Sequence, residues 1–254
     1  MTKRVLVTGG GTFLGDNIAA ALLAEGAEVT LLVRPGAESR LGPLAHRVRW
    51  WVADVWNPGS LKGRGRAHQA VVHTVGSMVA EPAKGLSYDT LNFVSARNVA
   101  NMCVSSGVPH MVLMSAVRAP WVNGQYIHSK REAEHYISRV GLRPTIIRAP
   151  LAYLRGQRRS PFYQLISLLG AVPPFSWLWF GRVAPMPIDV LARGVARITL
   201  DERTNKTIHY AGDLRRRNSH QELRRPIILP SENAIQTAEI NPFSVLDENT
   251  PFGW

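Results

Sequence analysis

The chain is poor in cysteine, and near its end it loses positive charge altogether. Cys103 is the sole cysteine. One thiol excludes an intrachain disulfide framework and any multi-cysteine zinc site, so a reducing compartment is the simpler expectation. None of the 30 Lys and Arg residues lies beyond residue 225. From Ser160 to Gly181 there is no charge of either sign for 22 residues. No apolar leader precedes the first apolar run, because Met1-Thr2-Lys3-Arg4 passes straight into it, so no signal peptide is expected. Histidines are present, but their spacing supports no metal site; His73, His110 and His128 do not pair at ligand intervals.

The 254 residues suffice for one large α/β core with appendages. A 45% apolar content excludes a wholly disordered chain. The last 29 residues carry only Glu232, Glu239, Asp247 and Glu248; they are therefore −4, and the rest is +16 within a total of +12. Such a basic body is attracted to anionic lipid, to acidic protein partners or to nucleic acid. The arginine clusters Arg215–Arg217 and Arg224–Arg225 have little aromatic interleaving and no reader motif. Specific nucleic-acid recognition is therefore not expected.

Val5, Leu6 and Val7 are apolar without alternation, which predicts a buried parallel strand over 4–8. Further strands are predicted over 28–33, 48–52, 70–74, 110–115 and 144–148, with an edge strand at 207–210. Helices are predicted over 16–25, 90–106, 129–140 and 191–200, several ending at glycine. This alternation predicts a Rossmann-like doubly wound parallel sheet with helices on both faces. A reduced C-terminal lobe and an extended C-terminal arm complete the expected fold. The domain would span 1–212, including a small apolar lobe at about 151–185, and 213–254 would form the arm, basic then acidic. The uncharged segment carries Pro173-Pro174, which argues against a single spanning helix. It reads as a surface for lipid or a greasy ligand, or else as a core flap or protein contact. The arm would lie along a partner or fold back over its own domain.

Two local signals carry chemistry. Gly9-Gly10-Gly11-Thr12-Phe13-Leu14-Gly15 follows the first strand and opens a helix. Free amides of Gly11, Thr12, Phe13 and Leu14 at such a turn suit a pyrophosphate, with Thr8 and Gly9 leading into it and Gly15 allowing helix and strand to approach. Arg34, rather than an acid, follows the second strand. A guanidinium there pairs with a 2′-phosphate, which favours NADP(H) over NAD(H). Asp54 and Val55 would meet the adenine; Thr74, Val75 and Gly76 would line the pyrophosphate and ribose. The second signal is Tyr126-x-x-x-Lys130. The two side chains share one helical face, and the ammonium is expected to lower the phenol's pKa so that it can pass a proton to or from a carbonyl.

The glycine turn, Asp54-Val55, Asn92, Ser115, Tyr126-Ile127-His128-Ser129-Lys130 and Arg148-Ala149-Pro150 stand in the order found in extended and atypical short-chain dehydrogenases/reductases, which the chain resembles over about residues 3–210. The string Tyr126, Ser129, Lys130, Glu134 looks closest to the NDUFA9-like branch of complex I accessory subunits and proteins linked to ubiquinone biosynthesis. The resemblance implies Tyr126, Lys130 and Ser115 as catalytic positions, with Asn92, Ala149 and Pro150 beside the cofactor. Two departures stand out. Thr12 replaces the usual glycine, placing a Cβ near the pyrophosphate. The later serine position of active extended members is Val117. The expectation is therefore an NAD(P)(H)-binding accessory subunit of a membrane-associated complex, docked through the 213–254 arm and with little or no catalysis. It would sit peripherally, on the cytoplasmic side of a membrane or in an organelle matrix or stroma. The alternative is an NADP(H)-dependent oxidoreductase or epimerase-like enzyme for a quinone- or isoprenoid-like substrate.

Overall fold

A computed structural model describes residues 2–155 and 183–224. The uncharged segment, most of the expected small lobe and the acidic part of the arm lie outside the described residues.

Seven strands form one parallel sheet. They are β1 (Arg4–Gly10), β2 (Glu28–Val33), β3 (Arg49–Val52), β4 (Ala70–His73), β5 (His110–Ala116), β6 (Arg143–Ala149) and β9 (Ile208–Tyr210). Their spatial order is β3-β2-β1-β4-β5-β6-β9, and each neighbouring pair is parallel. A separate short pair joins β7 (Ala152–Tyr153) to β8 (Met186–Pro187). Central strands are buried on both faces, which is why β1 reads as a continuous apolar run.

Two apolar layers enclose the sheet. On one face lie α1 (Phe13–Ala24) and α5 (Ile188–Leu200), packed against each other around Ile18, Leu22, Val195 and Ile198. Ala19, Ala20 and Ala21 keep α1 thin enough to be buried almost all round. On the other face lie α3 (Ser95–Ser106) and α4 (Gly124–Ile137), around Leu6, Val99, Leu113 and Ile137. The helix α2 (Pro58–Leu61) is a single turn capped by Asn57, whose Oδ1 accepts from Gly59 N at 3.0 Å.

The order of connection reverses between β1 and β4. In open α/β sheets the crevice outside the carboxyl ends of strands at such a reversal is where ligands bind. The doubly wound prediction therefore holds, including the edge strand at 208–210.

Three local expectations are corrected. A 3₁₀ stretch over Glu38–His46, kinked at Gly42, follows β2 where no element was predicted. The helix carrying the tyrosine begins at Gly124, five residues before the predicted start. Asn123 caps it, its Oδ1 accepting from Gln125 N at 2.8 Å. The arm was expected to begin at 213, but Ala211–Arg216 and His220–Arg224 are helical. Leu214 is buried in the first apolar layer, and Asn218 donates to Val190 O at 3.0 Å. The arginines at 215–217 hid this apolar anchor in a run that reads as solvated.

Candidate functional site

The glycine turn closes β1 over α1. Gly9 and Gly11 have φ of +85° and +79°, a backbone that a side chain would strain. A Cβ at Gly15 would collide with the Gly9 carbonyl, so strand and helix touch backbone to backbone here. Thr12 is the N-cap of α1. Its hydroxyl donates to Gly9 O at 2.6 Å and accepts from Gly15 N at 3.2 Å. The side chain thus turns back into the junction and satisfies one orphan amide of the helix. The expected intrusion on the diphosphate is corrected on that ground, and the turn retains a cradle of backbone amides.

Thr8 and Thr74 act one layer deeper than expected. Thr74 Oγ1 donates to Thr8 O at 2.5 Å, and Thr8 Oγ1 meets His73 Nδ1 at 2.9 Å. Both threonines are buried, and they pin the ends of β1 and β4 together. His73 reaches Ser95 Oγ at 3.4 Å through its other nitrogen. Burial, with a smaller push from Lys130, drops its pKa to about 3, so it is a neutral strut. No cluster of three or more metal-ligating side chains forms among the described residues.

On the nucleotide side, Arg34 follows β2. Burial lowers its pKa, Arg40 lowers it further, and Asp54 opposes both. Arg40 was not foreseen in the sequence, because the 3₁₀ stretch that carries it was not. Its Cβ lies 3.4 Å from where a Gly11 side chain would project. Asp54 Oδ1 accepts from Trp56 N at 2.9 Å, which fixes the loop after β3. Asn98 Nδ2 donates to Val55 O at 3.1 Å and holds the same loop from α3.

Across the crevice, Gly76, Asn92 and Lys130 converge. A Cβ on Gly76 would run into the Lys130 ammonium and lie 2.5 Å from Asn92 Oδ1. Asn92 stands in a π-helical turn, Asp89–Val94, directly ahead of α3. Such turns recur at functional sites. Its amide accepts from Ser77 N at 3.0 Å and donates to Ser77 O at 2.9 Å and Tyr88 O at 3.0 Å, which shapes the loop after β4. Val75 packs against the second apolar layer. Lys130 Nζ donates to Met114 O at 3.2 Å and lies 5.9 Å from the centre of the Tyr126 ring. Burial lowers the Lys130 pKa to about 8. Tyr88, also unforeseen, stacks obliquely on Tyr126 at 6.2 Å.

Two expectations about the chemical half are corrected. Lys130 was expected to lower the Tyr126 pKa. Burial instead raises it above the ordinary phenol value, and the charge that opposes this is Arg131. Ser115 was expected to polarise a substrate oxygen. Its hydroxyl donates to Glu134 Oε1 at 2.6 Å and accepts from Arg131 Nη1 at 3.1 Å. Glu134 is buried and also binds Arg131 and the Arg148 fork, at 3.1 and 2.6 Å from the latter's Nε and Nη2. Arg148 Nη1 donates onward to Tyr210 at 2.9 Å. Ser115 is thereby tied to a charged strut between β5, α4 and β6. The sequence showed Glu134 four residues after Lys130 and three after Arg131, but Arg148 and Ser115, which complete the cluster, come from other elements. Ala149 O accepts from Val117 N at 3.2 Å, and Pro150 is buried behind it. Met78 and Val79 in the loop after β4 and Trp121 in the loop after β5 are exposed, and these loops follow the carboxyl ends of adjacent strands.

A doubly wound sheet, an amide-lined glycine turn at its topological switch and a tyrosine–lysine pair facing it define a dinucleotide-binding Rossmann-type protein. A family model described as NAD(P)H-binding matches residues 9–160, and the chain belongs to that family. Solved structures share the fold. A dTDP-glucose 4,6-dehydratase of Streptomyces venezuelae, determined with NAD and TYD bound, is 22% identical with a TM-score of 0.57, over 81% of this chain and 74% of that one. A UDP-N-acetylglucosamine 4-epimerase of Bacillus cereus is 17% identical with a TM-score of 0.58, over 83% and 76%. A wide-type short-chain dehydrogenase/reductase of Veillonella parvula, in complex with NADP, is 15% identical with a TM-score of 0.56, over 80% and 90%. These neighbours are named as enzymes, and the accessory-subunit expectation is corrected accordingly. No helix among the described residues is long and apolar enough to cross a membrane.

Proposed function

We propose that the chain is an NAD(P)(H)-dependent oxidoreductase or epimerase-like enzyme acting on a hydrophobic carbonyl or alcohol. The observation that carries this is the convergence of Gly76, Asn92, Lys130 and Tyr126 opposite the glycine turn. A bound nicotinamide supplies hydride transfer. Tyr126 holds the proton exchanged with the substrate oxygen, and Lys130 orients the ribose and supplies positive charge beside the phenol. Tyr88 and the buried wall around Tyr126 keep water from the exchange.

NADP(H) is proposed over NAD(H), because Arg34 and Arg40 stand together beside the nucleotide turn. The exposed Met78, Val79 and Trp121, in the loops after β4 and β5, support a quinone- or isoprenoid-like substrate. The Tyr126, Ser129, Lys130, Glu134 string supports kinship with the NDUFA9-like branch. The +16 charge of residues 1–225 supports peripheral contact with an anionic surface, and the 226–254 part of the arm a contact with another protein.

The direct test is reduction of short-chain quinones and isoprenoid ketones with NADPH and with NADH, by wild type and Tyr126→Phe. Turnover by wild type that Tyr126→Phe abolishes, with NADPH preferred, supports the reading. Tight nucleotide binding with no turnover of either class refutes it.

A further inference from the structure

Asp16, in the first turn of α1, is not accounted for by the nucleotide site as described. Its Oδ1 accepts from Gly11 N at 2.9 Å. That amide belongs to the turn the diphosphate should use. The carboxylate is half-buried, in the first turn of a helix whose free amides invite an anion. A dinucleotide brings two phosphate charges to the same turn. A carboxylate and a diphosphate cannot both stay ionised there without strong repulsion.

We propose that Asp16 gates the diphosphate cradle, so that the dinucleotide binds with uptake of one proton by this side chain. The inference rests on nucleotide binding at the glycine turn and adds its regulation by pH.

Burial raises the Asp16 pKa to about 7, and the Gly11 amide opposes that rise. The proton is therefore exchangeable near neutrality before any nucleotide arrives. The charged groups on the elements packed against α1 do not replace this carboxylate. Arg4 and Glu28 begin β1 and β2, at the strand ends opposite the turn. The 3₁₀ stretch presents Glu38, Arg40 and His46, with Arg40 at the turn and Arg34 just beyond β2. On α5, Asp189 pairs with Arg193, and Arg197 pairs with Glu25 and Glu222. Lys130, across the crevice, titrates at about 8 and adds its own, later dependence. An anion prefers the protonated acid, so affinity is highest below neutrality. It falls by up to about tenfold per pH unit above pH 7.

Calorimetry of NADH and NADPH binding at pH 6–8.5, in buffers of different ionisation enthalpy, reads the protons directly. Wild type is compared with Asp16→Asn; the 2′-phosphate and Lys130 contribute equally to both. The expected result is an extra uptake of up to about one proton near pH 7.5 in wild type, absent in Asp16→Asn, which binds tighter at pH 8. Equal proton uptake in both proteins overturns the proposal while leaving nucleotide binding intact. Failure of both to bind either nucleotide at any pH overturns the nucleotide site itself. Should Asp16→Asn fold poorly, a wild-type affinity that is flat from pH 6.5 to 7.5 is by itself sufficient refutation.

Discussion

The two halves of the crevice are built from different materials. The nucleotide half is backbone: the glycine turn, the capped end of α1 and threonines that pin β1 to β4. The chemical half is side chain: Tyr126, Lys130 and Asn92, backed by the Glu134, Arg131 and Arg148 cluster. Backbone tolerates almost no change of shape but demands little of residue identity beyond glycine. Side chains carry the specificity and can be exchanged without disturbing the fold. Mutations in the first half should therefore damage binding and stability together, and those in the second should separate activity from both.

The largest effect is expected from Tyr126→Phe. Loss of a positioned acid/base group costs about 10²–10⁴ in rate, or about 3–5 kcal/mol of barrier. Nucleotide affinity should change by less than about threefold, because the phenol is not part of the cradle. Stopped-flow hydride transfer and nucleotide titration on the same protein check this. A parallel loss of affinity would erase the distinction between the halves.

That distinction also explains what the sequence revealed. Glycines at positions 9, 11 and 15 mark the backbone half directly, since only a close approach or a left-handed turn requires them. The strand alternation placed the sheet, and the Tyr126–Lys130 spacing placed one face of α4. What failed was whatever depends on partners distant in the chain. Ser115 looked like an oxyanion donor until Glu134, Arg131 and Arg148 met around it. The Tyr126 shift was misjudged because helical spacing reports distance to Lys130 but not burial. Arg40 was missed because no element was predicted between the second and third strands, and Leu214 because three arginines follow it.

Next in size is Gly15→Ala. The new methyl meets a backbone carbonyl, which cannot rotate away as a side chain would. Overpacking costs about 1–3 kcal/mol where side chains can yield, so about 3 kcal/mol or more is expected here. Urea unfolding should show a lower midpoint, and nucleotide titration a weakened cradle in the same protein. Gly124→Ala, at the open start of α4, is the control, because nothing lies within 4 Å of its Cβ position.

A moderate, pH-dependent effect is expected from His73, the strut beneath the nucleotide half. Its pKa is about 6.5 in the unfolded chain and about 3 in the fold, because burial disfavours the charged form. The native state therefore binds fewer protons. The stabilisation is complete above pH 6.5 and is lost as pH falls from there toward 3. Between pH 6.5 and 5 the loss is about 2 kcal/mol. His73→Gln should remove that slope from the urea midpoints while lowering stability at pH 7.5. An unchanged slope would assign the acid sensitivity to other buried histidines, such as His110.

The smallest effect is the most discriminating. If Ser115 donated to a substrate oxygen, its loss would cost about 10²–10³ in rate. Its proton is instead given to Glu134 at 2.6 Å, and its oxygen accepts from Arg131 at 3.1 Å. Ser115→Ala removes one hydrogen bond to a carboxylate that keeps both arginines, so a stability loss of about 1–2 kcal/mol is expected. The rate should fall by less than about tenfold, through small shifts of α4 rather than loss of a polarising group. A fall of several hundredfold with unchanged stability would show that Ser115 leaves Glu134 when substrate binds. The chemical half would then be as mobile as its side-chain construction permits, and the charged cluster a resting state rather than a fixed strut.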